Sequence, residues 1–276
     1  MDFFKVECSF DRKKAEIYPV FLGKKSKDLM IRSKEFYAVW DEEQGFWSTD
    51  IYDLIRLVDN ELDKYYEKRK DTFTNSTVDI KYLGVSKSKS MKNFVDYIKL
   101  LPDNYVPLDS KVMFANSIIT KKDYVSKTLG YCKEPGDMSS YEELISVLYS
   151  KEERQKFEWA IGSIIEGDSK VNQKFFVFYG PPGSGKSTVM DIIQALFKGY
   201  YVSFDAKALG SINNQFATEP FKSNPLVAIQ QDGDLSHIED NTKINSIVSH
   251  DMMVVNEKHK PQYQMEFIAL LFMGTN

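Results

Sequence analysis

Apolar positions repeat along this chain in distinct rhythms. Phe36-Tyr-Ala-Val-Trp40 is a run of β-formers, Asp41-Glu-Glu-Gln-Gly45 has the composition of a turn, and Phe46-Trp47 begins a return strand. A hairpin is expected there. Ser48-Thr49-Asp50 offers cap residues, and Ile51, Leu54, Ile55, Val58, Leu62 and Tyr65 follow at helical spacing. Between about Arg69 and Met91 the pattern dissolves into Thr, Asn, Ser and Lys, which reads as a linker or long loop.

From roughly Asn104 to Asp168 the signals are helical. Ser140-x-x-Glu143 and Ser150-x-x-Glu153 are both capping-box patterns. Leu144, Val147 and Leu148 form the apolar face after the first. Phe157, Ala160, Ile161, Ile164 and Ile165 form the face after the second, which Gly167 closes. The aromatics here, Trp159 included, are expected in the core.

The carboxy-terminal third changes character. Phe175-Phe-Val-Phe-Tyr179 has the length and composition of a strand. Val189, Ile192, Ile193 and Leu196 then recur at helical spacing up to a stop at Lys198-Gly199. Two more apolar strands are expected at Leu226–Ile229 and Phe267–Met273. This order fits an α/β doubly wound sheet. Three parts are expected: a small mixed α/β unit over 1–103 that ends in a linker, a helical domain over 104–168, and an α/β core over 169–276.

Composition narrows the class. A hydrophobic content of 42% with 28% charged residues argues for a globular chain rather than disorder. The run from Phe267 to Met273 is far too short to span a bilayer, and the acids near Met1 do not fit a secretory signal. Cys8 and Cys132 offer neither a disulfide framework nor a zinc spacing, so a reducing compartment, the cytoplasm, is the expectation, with no membrane partner. The net charge of −4 argues against coating duplex DNA through one broad face; any nucleic-acid contact would be concentrated in a narrow channel.

The chemistry concentrates between the first strand and helix of the last part. Gly180-Pro181-Pro182-Gly183-Ser184-Gly185-Lys186-Ser187-Thr188 meets every fixed position of the phosphate-binding loop G-x-x-x-x-G-K-[ST]. Glycines let backbone N–H groups crowd around phosphate oxygens, and the helix N-terminus adds partial positive charge. Lys186 would reach the β- and γ-phosphates, and the Ser187 hydroxyl would ligate Mg²⁺. Downstream, Pro225-Leu-Val-Ala-Ile229 runs into Gln230-Gln-Asp232-Gly-Asp234. An acid at a buried strand's end can hold Mg²⁺ or orient the attacking water, although Asp-Gly is also plain turn chemistry. The last strand ends in Gly274-Thr275-Asn276, an amide placed to meet a γ-phosphate or the lytic water.

Taken together, the phosphate loop, the acidic strand end, a basic segment and a strand ending in Asn resemble the superfamily 3 helicases. The phage and plasmid primase-helicase group, related to the poxvirus replicative helicase, is most similar. The basic segment is Ile244-Asn-Ser-Ile-Val-Ser-His-Asp251 followed by Val254-Val-Asn-Glu-Lys258-His259-Lys260. By residue chemistry alone its tip reads equally as an exposed turn. The resemblance implies an AAA+ core preceded by a helical collar-type domain. It also implies ATP and Mg²⁺ as cofactors, with Lys186, Asp232 and Asn276 catalytic and Ser187 and Asp232 at the metal. Lys258, then His259 and Lys260, would grip single-stranded DNA inside a homo-oligomeric ring, a hexamer, with primase or other replication proteins as further partners and a phage host's cytoplasm as location.

Two departures from the family pattern matter. Many relatives carry two adjacent acids where this chain has Gln231-Asp232, so Asp232 would combine metal-binding and water-orienting duties with Asp234 as helper. The sequence also stops at the Asn that closes the pattern, before the region where relatives carry an arginine finger. It reads as a piece of a longer protein, and this chain alone is expected to bind ATP and hydrolyse it slowly. Two other classes stay open: a nucleotide-dependent assembly or regulatory AAA+ protein without unwinding activity, and a small-molecule kinase, disfavoured for want of a second substrate pocket.

Overall fold

The computed structural model describes all residues except 12–13, 24, 33–35, 75–78, 83–87, 234–238 and 259–261. The described residues form two compact units, one of Met1–Val106 with Ile119–Ser126, the other of Pro107–Ile118 with Lys127–Asn276.

The first unit opens with β1 (Phe4–Asp11) and β2 (Lys14–Phe21), paired antiparallel. Next come β3 (Leu29–Arg32), β4 (Phe36–Asp41) and β5 (Phe46–Ser48), an antiparallel meander that contains the expected hairpin. Buried Asp41 shapes its turn by accepting from the N–H groups of Glu43 and Gln44, and it pairs with Arg56. Helix α1 (Ile51–Glu67) starts where Asp50 accepts from the Tyr52 N–H at 2.8 Å, and it buries Leu54, Leu57, Val58 and Leu62.

The stretch expected to be a linker carries structure: α2 (Lys70–Thr74), β6 (Asp79–Tyr82), parallel to β2, and the start of α3 (Ser88–Leu100). Phe3, Leu29, Val39, Leu54, Phe94 and Ile98 share the core of this unit. The short 3₁₀ turn Lys121–Asp123 belongs here too, and the Trp47 indole donates to the Lys121 carbonyl at 3.0 Å.

The second unit corrects the expectation for residues 104–168. Up to Met138 the chain is irregular apart from that 3₁₀ turn. Val112, Phe114 and Leu129 are nevertheless buried. Tyr200 pins this irregular backbone from outside: its hydroxyl accepts from the Met113 N–H at 3.3 Å and donates to the Lys127 carbonyl at 2.7 Å. Tertiary contacts, rather than local periodicity, order it.

Helix α4 (Ser139–Leu148) starts one residue before the expected box, with the Asp137 carboxylate accepting from the Ser139 N–H. Its buried residue is Ile145, whereas Val147 is exposed. Helix α5 (Lys151–Glu166) forms the Ser150–Glu153 capping box as written and ends on Gly167 at φ +80°. Trp159 departs from its expected core position: it is 48% exposed and meets Phe176 with the two rings tilted at 48°. After α6 (Ser169–Asn172) comes β7 (Phe176–Tyr179), then α7 (Lys186–Leu196), β8 (Tyr201–Ser203), α8 (Ala206–Leu209) and β9 (Val227–Gln230). Helix α9 (Thr242–Val248) leads into the antiparallel pair β10 (Met252–Val255) and β11 (Tyr263–Glu266), and β12 (Leu270–Thr275) follows. The last strand therefore starts three residues later than expected.

Strands β7, β12, β9 and β8 pair in that order, all parallel. The alternation along β12 explains its all-apolar sequence. Leu270 and Phe272 face a core shared with α5 and α7, whereas Leu271 and Met273 face one shared with α8, α9 and the hairpin. A parallel sheet covered on both faces demands such runs. Ile145, Phe157, Ala160 and Ile164 sit in the first of these cores, so α4 and α5 pack against the sheet. No described helix is long and apolar enough to cross a membrane.

Candidate active site

Three strand tips meet at the carboxyl edge of the parallel sheet, the edge where open α/β sheets place their ligands. The Gly180 N–H at the end of β7 donates to the Thr275 carbonyl at 3.3 Å, and the Gly233 N–H beyond β9 donates to the Gly274 carbonyl at 2.6 Å. Packing around Gly274 is closed. A methyl there would collide with the Gln231 carbonyl oxygen and lie 2.5 Å from Met190 Cε on α7. Phosphate loop, β9 tip and β12 tip are thereby locked into one surface.

The loop itself has the geometry its sequence implies. Gly185 caps α7 at φ +85°, in the left-handed region, and a Cβ there would lie 2.5 Å from Leu148 Cδ2. Backbone freedom and close approach both call for glycine at this position. The turn aims the first N–H groups of an eleven-residue helix at the opening above it.

That opening is a cleft of about 340 Å³ lined by Pro182, Gly183, Ser184, Gly185, Lys186, Ser187, Thr188, Asp232 and Asn276. The Lys186 ammonium is folded onto the loop. It donates to the Gly180 carbonyl at 2.5 Å, the Pro181 carbonyl at 3.0 Å and Asn276 Oδ1 at 2.9 Å. Gly180 and Pro181 belong to the loop without lining the cleft, and their carbonyls hold the lysine.

The donor set suits a triphosphate with a hard divalent cation. Mg²⁺ favours oxygen ligands, commonly one or two carboxylates with substrate phosphates and waters, and here Ser187 offers a hydroxyl and Asp232 a carboxylate. Among the described residues no cluster of three or more His, Cys, Asp or Glu could hold a metal without such a partner. Asp234, the expected helper, lies outside the described residues.

Gln231 has a partner that the sequence reading missed. Its Nε2 donates to Asp191 Oδ1, on α7, at 2.7 Å. The available signal was spacing: Ser187 and Asp191 stand four residues apart on one helix and so share a face.

Lys258 lies apart from this cleft, exposed in the loop that joins β10 to β11, while His259 and Lys260 lie outside the described residues. Glu257 beside it is buried, accepts from the Tyr263 hydroxyl at 3.0 Å and lies 3.6 Å from Lys222 Nζ.

Residues 178–276, the stretch that contains the whole cleft, match the family of unknown function DUF5906. No curated protein matches the chain. Among solved structures, apo forms of the NrS-1 C-terminal region are similar. One has 14% identity and a TM-score of 0.47 over 90% of this chain and 53% of that one. Two others, at 14% and 15% identity with TM-scores of 0.46 and 0.43, cover 70% and 62% of this chain. The chain spans about half or less of the length of these structures.

Proposed function

We propose that this chain carries the motor core of an ATP-dependent DNA helicase of the superfamily 3, AAA+ type, working as a homo-oligomeric ring on single-stranded DNA in phage or mobile-element replication. One observation carries the reading: the phosphate loop, Asp232 and Asn276, far apart in sequence, line a single cleft. The sequence pattern that suggested the family therefore has a spatial counterpart.

In this reading Lys186 exchanges its loop carbonyls for oxygens of the β- and γ-phosphates. The N–H groups at the start of α7 receive the same phosphates. Ser187 and Asp232 would hold Mg²⁺, which when bound would supply positive charge beside the phosphate oxygens. Asp232 also orients the water and takes its proton as the new bond to phosphorus forms and the bond to the leaving diphosphate breaks. Asn276, bonded to Lys186, senses whether the γ-phosphate is present. The hairpin of β10 and β11 carries Lys258 to a backbone phosphate of the DNA strand.

Gln231 favours a second reading, nucleotide-driven assembly without unwinding, because an amide stands where motors of this type often have an acid. Displacement of a labelled strand from forked DNA by the full-length protein separates the two. A helicase unwinds with ATP, and Lys258→Ala abolishes unwinding while basal ATPase persists. ATP hydrolysis without any unwinding would favour the assembly reading, and a fully active Lys258→Ala variant would remove the hairpin from the mechanism.

A further inference from the structure

Gln231 and Asp191 meet at a corner beside the cleft, and their geometry goes beyond this reading. Asp191 is exposed on α7 one turn beyond Ser187 and on the same face. Gln231 immediately precedes Asp232, and its carbonyl oxygen packs close to Gly274, where an added Cβ would come within 2.3 Å of it. Its amide reaches across to Asp191 Oδ1 at 2.7 Å. Ser187 and Asp232 line the cleft, and Asp191, one turn beyond Ser187, meets Gln231, the neighbour of Asp232, just outside that lining.

We infer that Asp191 supplies the second carboxylate of the magnesium site, acting from α7 through metal-bound water, with Gln231 as the residue that positions it. The inference rests on the nucleotide-binding reading of the same cleft. Chemically the pair is an exchange. An acid at position 231 would face the Asp191 carboxylate at hydrogen-bond distance, and two carboxylates that close repel. An amide at 231 donates instead, fixing the plane of the Asp191 carboxylate and leaving Oδ2 to accept from water. The negative charge is retained at the corner but comes from the helix rather than the strand. Asp191 is a positioning residue in this scheme: it touches neither phosphate nor metal directly.

Asp191→Asn isolates the charge, because the asparagine oxygen still accepts from Gln231 and the latch between α7 and β9 survives. The experiment is binding of a fluorescent N-methylanthraniloyl ATP to the intact chain, titrated with Mg²⁺ and repeated in EDTA. Asp191→Asn is expected to raise the Mg²⁺ concentration for half-maximal tightening about tenfold, the usual scale for loss of a residue acting through a ligand. Affinity in EDTA stays at the wild-type level. The swapped pair Asp191→Asn with Gln231→Glu moves the acid to the strand and is expected to return the Mg²⁺ requirement to within about threefold of wild type.

An unchanged Mg²⁺ requirement in Asp191→Asn overturns the inference, as does a swapped pair no better than the single variant. A wild-type chain that binds no nucleotide overturns the parent reading as well. Wild-type binding with an indifferent Asp191→Asn overturns this inference alone.

Discussion

Lys186 Nζ donates to Asn276 Oδ1 at 2.9 Å, across ninety residues of sequence. The bond joins the start of α7 to the tip of β12, so in the proposed reading the cation that would meet phosphate is held by the amide that would sense it. On that proposal, loss of the γ-phosphate would return the lysine to this amide and to the loop carbonyls.

The pairing makes Asn276 informative. Asn276→Asp places a carboxylate against Lys186 and beside the incoming phosphates, so it should weaken ATP binding about tenfold, equivalent to ~1.4 kcal/mol. Asn276→Ala leaves Lys186 its two carbonyls and should keep affinity within about threefold. Titration calorimetry with ATP checks both, and equal affinities for the two variants would argue against the contact.

Gly274 tests the locking of the three strand tips. Gly274→Ala forces a methyl to within 2.3 Å of the Gln231 carbonyl oxygen, a backbone atom just past β9 that cannot yield cheaply, whereas Met190 Cε is the end of a flexible side chain that can move aside. The expected cost is about 2 kcal/mol or more, read as a lower urea midpoint. A variant as stable as wild type would show that the tips are looser than the structure indicates.

The cleft was legible because backbone chemistry constrains it. A loop around phosphate needs glycines, a cation and a hydroxyl at fixed spacing, and Asp232 and Asn276 stand where buried strands must end. Asp191 was invisible as a partner, since its contact with Gln231 arises only when α7 and β9 lie side by side. The irregular chain before α4 was misread as helical for the same reason: its order comes from the Tyr200 hydroxyl, far away in sequence. In the amino-terminal unit, β2 mixes Lys14 and Glu16 with Ala15 and Ile17 on alternating faces, a weak signal that only pairing with β1 makes a strand. The strands β10 and β11 carry no distinctive signal, and residue chemistry alone left the tip between them as an exposed turn.

His250 predicts a pH dependence of stability. It is buried at φ +57° just past α9, its Nδ1 has no partner among the described residues, and it lines a small cavity with Ser169 and Lys170. Burial pushes its pKa down, Glu266 opposes this, and Lys170 adds to it. The unfolded chain therefore binds the proton more readily. Stability is greatest above the unfolded value, roughly 6.5, and falls as pH drops from there toward the lower folded value. Urea midpoints at pH 7.5 and 5.5 should differ more for wild type than for His250→Asn, whose side chain does not titrate. Equal differences would mean that His250 is not buried in its neutral form.

The most direct measurement of the central claim is equilibrium binding of Mg·ATP to the wild-type chain and to Lys186→Ala by titration calorimetry, with both checked for folding by circular dichroism. Removing a charged donor to phosphate costs about 2 to 3 kcal/mol, so the wild type should bind and the variant should bind roughly 30- to 150-fold more weakly. Equal affinity in two folded proteins, or no binding by the wild type, would contradict a nucleotide cleft built on this loop.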